Sequence, residues 1–118
     1  VMSANQWKLG NLICIVDFNN QQADGPSRDM LAKGMEAPKW EAFGWFAQEV
    51  DGNDLDELVS AFDAARDLGD EKPRVIICHT KMCKGVDFLE ARESSHFVRV
   101  EPDEWTKALD VLEEGKPQ

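Results

Sequence analysis

Two polar loops hold the residues with chemistry to offer. The first is Asp17-Phe18-Asn19-Asn20-Gln21-Gln22-Ala23-Asp24-Gly25, which presents side-chain oxygens and, after Asn19, backbone carbonyls. Such donors suit a hard cation like Mg2+, which takes about six oxygens and shares them with phosphate and water. The second is Thr80-Lys81-Met82-Cys83-Lys84-Gly85, with two ammonium groups near a glycine. Point charges of that kind meet phosphates. The same residues also make ordinary turns and solvated surface, and spacing alone does not decide between the two. His79 borders a strand end and His96 lies between Ser95 and Phe97; from spacing alone both read as surface or packed imidazoles. No nucleophile–base pair assembles, and neither the P-loop nor GxGxxG occurs. Cys14, Cys78 and Cys83 are an odd set without zinc-site spacing. They read as structural thiols in a reducing, cytoplasmic compartment.

The elements around these loops follow from the apolar pattern. Leu12-Ile13-Cys14-Ile15-Val16 is a continuous apolar run, the habit of a parallel strand buried on both faces. It runs straight into the first polar loop. Residues 37–46 predict a helix, with Pro38 in its first turn and Trp40, Phe43 and Phe46 on one side. Ala47 to Val50 predicts a short strand, and Asp51-Gly52-Asn53 a helix entry. The helix over 54–68 carries Leu55, Leu58, Val59, Phe62 and Ala65 at helical spacing and stops at Gly69. Arg74-Val75-Ile76-Ile77-Cys78 predicts a third strand, leading into the second polar loop. A last helix starts at Pro102, with Trp105, Ala108, Leu109 and Leu112 as its stripe and Gly115 as its stop. Phe97-Val98-Arg99-Val100 reads as a short strand or an anchored loop.

The order β-α-β-α-β-α implies an α/β fold, a parallel sheet with flanking helices joined by right-handed crossovers. With 118 residues the chain suits a single domain. Residues 1–10 read as the end of a helix cut from a longer chain, with Met2 and Trp7 apolar and Gly10 capping. Three parallel strands make a thin sheet, so further chain or another subunit is expected to complete it. A formal charge of −10, from 13 basic and 23 acidic residues, argues against nucleic acid as a partner. No apolar run approaches the ~20 residues of a membrane span, so no membrane partner is expected; nor does a signal peptide show.

Lys8-Leu9-Gly10-Asn11-Leu12-Ile13-Cys14-Ile15-Val16-Asp17-Phe18-Asn19-Asn20-Gln21-Gln22-Ala23-Asp24-Gly25 closely resembles a transketolase stretch that reads KLDNLIAIVDYNGQQIDG. Lys39-Trp40-Glu41-Ala42-Phe43-Gly44-Trp45, followed by Glu49-Val50-Asp51-Gly52-Asn53-Asp54, resembles KWRAFGWHVIEVDGHD of the same family. Lys72-Pro73-Arg74-Val75-Ile76-Ile77 and Lys84-Gly85-Val86-Asp87-Phe88-Leu89-Glu90 resemble its KPTVIIAKTIKGKGVSFME. The blocks keep their order over residues 7–96. They are most similar to the N-terminal, thiamine-diphosphate-binding section, including the form encoded as a separate N-terminal subunit.

The resemblance implies a partial thiamine-diphosphate-binding domain over residues 1–118, incomplete at its N-terminus. It implies thiamine diphosphate gripped through Mg2+, with Asn19 giving an amide oxygen and Gln21 a backbone carbonyl. His96, in Ser95-His96-Phe97, would reach the diphosphate. The family's Gly-Asp-Gly, source of another metal ligand, would fall before Val1, and the catalytic glutamate belongs to the partner domain. Asn20 and Cys83 stand where the family has glycine, and Phe97 where glycine follows the histidine. The implied activity is transfer of a two-carbon ketol unit between sugar phosphates. Its implied partner is the C-terminal section or subunit, in a homodimer or heterotetramer, and the isolated chain is expected to be inactive. Another thiamine-dependent enzyme (a deoxyxylulose-phosphate synthase or 2-oxoacid dehydrogenase component) and a non-catalytic module of the same fold are the alternatives.

Overall fold

Two apolar runs and a mixed segment become the strands of one parallel sheet. The computed structural model describes residues 1–22, 25–27, 36–92 and 99–115. In chain order these form α1 (Met2–Gln6), β1 (Ile13–Phe18), β2 (Gln21–Gln22), β3 (Gly25–Pro26), α2 (Ala37–Ala42), β4 (Phe46–Asp51), α3 (Leu55–Asp67), β5 (Arg74–His79), α4 (Asp87–Glu90) and α5 (Pro102–Glu114). The sheet order is β1-β5-β4, and β2 and β3 make a small separate ribbon. Both ladders are parallel and in step. Ile13 and Phe46 lie opposite Arg74, while Phe18 and Asp51 lie opposite His79. All three strands therefore end on one line, which gathers the loops after Phe18, Asp51 and His79 at a single edge.

β5 is the central strand of the three and is buried along most of its length, which β1 and β4 are not. Its alternate residues serve opposite faces. Val75 and Ile77 pack with Ala4, Trp40 and Trp45; Ile76 and Cys78 pack with Ala61 and Ala65. Trp40 and Trp45 meet edge-on, 5.0 Å between ring centroids, a favoured aromatic geometry. α3 lies against β4 and β5; on the matching face of β1, Ile13 packs against its cluster while Ile15 is left open. Ile15 is 58% exposed, so β1 is an edge strand with one well-covered face rather than a strand buried on both. Among the described residues neither β1 nor β4 has a second strand partner.

Helix ends depart from expectation for local reasons. α1 stops at Gln6, and Lys8 rather than Gly10 takes the left-handed position (φ 52°). Leu9 N–H reaches Ala4 O at 3.0 Å and Lys8 N–H reaches Asn5 O at 3.0 Å, the bond pair of a Schellman cap. Gly10 instead permits a close approach, since a Cβ there would lie 2.5 Å from Asp70 O. Met2 and Trp7 face outward and Ala4 is the buried anchor. α2 ends at Ala42 because Gly44 turns the chain at φ 82°. Phe46 thus opens β4, which is longer at both ends than Ala47 to Val50.

α3 is entered through Asp54, one residue beyond the expected signal. Its carboxylate accepts from Asp56 N–H at 2.9 Å and Glu57 N–H at 3.1 Å. The helix packs through its small residues: Ala61 and Ala65 are buried and Leu58 is half-buried, while Leu55 is 76% and Val59 60% exposed. The expected five-residue stripe is therefore rotated. α5 behaves alike, with Ala108 buried against Val86 and Leu89 while Trp105, Leu109 and Leu112 are exposed. α5 begins at Pro102 with a capping box between Glu101 and Glu104. Phe97 and Val98 lie outside the described residues; Val100 packs against the α5 cluster. No helix among the described residues is long and apolar enough to cross a membrane.

Candidate functional site at the carboxyl edge of the sheet

Ligands of open parallel sheets sit beyond the carboxyl ends of the strands. Two hollows open there, of about 410 Å³ and 530 Å³. The smaller is lined by Asn19, Gln21, Thr80, Lys81 and Glu90 among others, the larger by Glu49, Asn53, His79 and Lys84 among others. Asn20, Thr80 and Lys81 border both. Of the residues named in advance, Asn19 and Gln21 are brought together in one hollow. His96 lies outside the described residues.

The first loop is shaped by its backbone. Asn20 adopts φ 59°, which Asn tolerates better than most residues. Ser27 N–H then closes on Asn20 O at 2.9 Å, and Gln21 pairs with Pro26 in the ribbon. Asn19 Oδ1 accepts Gln21 N–H at 2.9 Å, and Asn19 Nδ2 donates to Asp17 Oδ2 at 3.4 Å. The other carboxylate oxygen, Asp17 Oδ1, accepts the hydroxyl of Thr80. Thr80 N–H bonds Phe18 O at 3.4 Å. The two polar loops are thus joined by side chains as well as by strand register. An amide oxygen has two lone pairs, so Asn19 keeps one donor site beyond its turn bond.

The second loop is less free than its two lysines suggest. Lys81 Nζ lies 3.4 Å from Glu90 Oε2, and Gly85 N–H donates to Glu90 Oε1 at 2.7 Å. The Gly85 N–H first, then Lys81, holds the Glu90 carboxyl below its usual range. Cys83 sits at φ 58°. Asn20 and Cys83 are therefore both left-handed, a conformation that glycine adopts most readily. Asn53 Oδ1 accepts Lys81 N–H at 2.8 Å, tying the loop after β4 to the loop after β5.

His79 is a partner rather than a bystander. Its Nε2 lies 2.8 Å from Glu49 Oε2, and its ring meets Phe18 edge-on at 5.2 Å. Glu49 also accepts Ala37 N–H at 2.8 Å. That backbone bond and then His79 hold the Glu49 carboxyl below the ordinary carboxylate range. Cys78 is buried, and burial with the nearby Asp17 charge pushes its thiol up. It is a packing thiol, as expected for a strand residue. Among the described residues no group of three His, Cys, Asp or Glu side chains converges as a metal site. The donor set at Asn19 and Gln21 is instead neutral, which leaves a cation's charge for an anionic ligand.

The Asp17–Thr80 and Glu49–His79 links were not foreseen. The signal was available in outline: adjacent parallel strands must bring their following loops together. Gly52 shows how tightly that edge is built. Its N–H bonds His79 O at 2.8 Å, and a Cβ there would lie 2.5 Å from Thr80 Cγ2 and 2.7 Å from Cys78 Cβ. Gly52→Ala is expected to cost about 1–3 kcal/mol by overpacking. A urea denaturation midpoint measures it, and an unchanged midpoint would show that the edge yields freely.

A family model described as transketolase, thiamine diphosphate binding domain, matches residues 1–112. An uncharacterized transketolase family protein of Sinorhizobium fredii is 58% identical over 114 residues, covering 97% of this chain and 41% of that protein. A 6-deoxy-6-sulfo-D-fructose transketolase subunit of a Clostridium species is 35% identical over 112 residues, covering 95% of this chain and 40% of the subunit. The crystal structure of a Campylobacter jejuni transketolase superposes with a TM-score of 0.75 at 30% identity, covering 92% of this chain and 17% of that one. The chain thus spans about two-fifths of the length of these curated relatives.

Proposed function

Because the chain belongs to the transketolase family, in its thiamine diphosphate binding domain, we propose that it is part of a transketolase that moves a two-carbon ketol unit between sugar phosphates. The observation that carries this reading is the Asn19–Gln21 turn. It is a neutral oxygen site at the carboxyl edge of a parallel sheet, joined through Asp17 to the loop after β5. The residues present fit a diphosphate-bound Mg2+. Asn19 would give its amide oxygen and Gln21 its carbonyl, both uncharged, so the anion keeps the cation's attraction. His96 is assigned to the diphosphate on the resemblance alone.

Thiamine diphosphate, when bound, supplies the carbanion-stabilising centre of ketol transfer. The chain's own residues do the holding. The strand ends set the depth of the loops, Asn20 turns the backbone, and Glu90 anchors the lysine-bearing loop after β5. The remaining metal ligand and the catalytic glutamate are assigned to the rest of the protein or to a partner section or subunit, in a homodimer or heterotetramer. That the Clostridium relative is itself named as a subunit supports a partnered assembly. The three cysteines, free in the structure, fit a cytoplasmic location.

The test is product analysis of the full-length protein with its partner, given thiamine diphosphate and Mg2+. Ketol transfer from a ketose phosphate to an aldose phosphate is expected. Consumption of pyruvate without ketol transfer would assign the protein to the synthase or dehydrogenase class instead. Absence of both activities, with no cofactor bound, would leave a non-catalytic module.

A further inference from the structure

We propose that Asp17, held by Thr80, is a positioning residue that fixes which end of the Asn19 amide faces outward as an oxygen donor. The inference rests on the reading of Asn19 as a metal ligand. The amide group is nearly symmetric in shape, and its orientation is decided by its neighbours. Asp17 Oδ2 lies 3.4 Å from Asn19 Nδ2. An ionised carboxylate only accepts, so the group facing it must be the NH2. Gln21 N–H lies 2.9 Å from Asn19 Oδ1, and a backbone N–H only donates, so the group facing it must be the oxygen. A flipped amide would set oxygen against carboxylate and NH2 against N–H, failing both contacts at once.

Asp17 needs its own anchor, because its side chain is exposed at the end of an edge strand. The Thr80 hydroxyl donates to its Oδ1, leaving Oδ2 for Asn19. Thr80 is placed by the strand ladder, since Phe18 pairs with His79 and Thr80 N–H bonds Phe18 O. The order β1-β5 therefore reaches the amide by way of threonine and aspartate. Asp17 gives nothing to the cation directly on this account; it acts through Asn19.

The experiment is a Mg2+ titration of the full-length protein with its partner at saturating thiamine diphosphate, read by the change in protein fluorescence on binding. The variants are Asp17→Ala, Thr80→Val, Thr80→Ser, Asn19→Ala and the Asp17→Ala/Asn19→Ala double. Asp17→Ala is expected to weaken Mg2+ about 10-fold, the scale of losing an outer partner of a metal ligand. Thr80→Val should weaken it in the same direction, and Thr80→Ser should restore it by returning the hydroxyl. The double variant should be no weaker than Asn19→Ala alone, because residues that act as one unit do not add. An additive double would mean that Asp17 contributes only its charge, and would overturn the proposal. So would an unchanged affinity in Asp17→Ala or, should that variant not fold, in Thr80→Val, with Asn19→Ala impaired. If Asn19→Ala itself binds Mg2+ normally, the reading of Asn19 as a ligand fails, and the positioning role fails with it.

Discussion

Replacing Asn19 with alanine in the full-length protein is expected to weaken Mg2+ binding, at saturating thiamine diphosphate, by about 100-fold or more. Loss of an outer-shell partner alone costs 10- to 100-fold, and Asn19 is assigned to direct contact. Ketol transfer should fall with the bound cation and recover in part at high Mg2+. Fold stability should change little. The side chain is half-buried and makes one turn bond to Gln21 N–H and one long bond to Asp17. An intramolecular bond of this sort contributes about 1 kcal/mol net. A loss of cofactor affinity larger than the loss of stability therefore separates a ligand from a turn residue. Equilibrium dialysis with Mg2+ gives the first quantity and a urea midpoint the second. Equal affinity in variant and parent would reduce Asn19 to turn chemistry.

The largest stability effect is expected at Arg74, 2% exposed at the start of the central strand. Its guanidinium donates to Ala65 O at 2.8 Å, to Asp70 O at 3.3 Å, and to the carbonyls of Lys72 and Gly10. Asp70 Oδ1 lies 3.3 Å away as the counter-charge. Ala65 O belongs to the last turn of α3, whose carbonyls have no partners within the helix. One side chain thus closes that turn, ties Gly10 ahead of β1, and pins the loop before β5. Arg74→Ala leaves these carbonyls without their shared donor, at a cost of about 1–3 kcal/mol for each that stays dry, while Asp70, 40% exposed, turns to water. Arg74→Lys keeps the charge but has no planar fork to reach so many acceptors, so its loss should be smaller yet clear. Urea denaturation of the full-length protein measures both. A shift below about 1 kcal/mol for Arg74→Ala would mean that water satisfies those carbonyls.

What could be read from residues alone follows from how each signal is made. From Val75 to Cys78 the β5 run is apolar because both its faces are covered, and it was legible as a strand. The β1 run looks the same, yet Ile15 is open, because α3 lies over β4 and β5 instead. Apolar identity did not report which face would be covered. On α3 the heavy residues at helical spacing drew attention, while the helix approaches the sheet through Ala61 and Ala65. Small residues permit that approach and carry little hydrophobic weight. Lys8 in a left-handed cap could not be told from Gly10 by composition, since glycine is the usual resident.

The candidate site was legible in a different way. Asn19 and Gln21 were named by resemblance and not by spacing, which left them between ligand and turn. They are held together by a local turn bond, while the register of β1 against β5 brings Thr80 and Lys81 to the other side of their hollow. The bond from Thr80 to Asp17 joins residues 63 apart in the chain, and only the strand order β1-β5 brings them together. No local pattern announces such a pair.

The central claim, that the Asn19 amide oxygen holds a cation that bridges to the coenzyme, is tested most directly by a crystal structure of the full-length assembly with thiamine diphosphate and Mg2+. The expected density places Asn19 Oδ1 in the metal's inner shell, at about 2.0–2.1 Å as Mg2+ requires, with Nδ2 toward Asp17. A metal whose inner shell is filled by water or other residues, with the Asn19 oxygen serving Gln21 N–H alone, would contradict it.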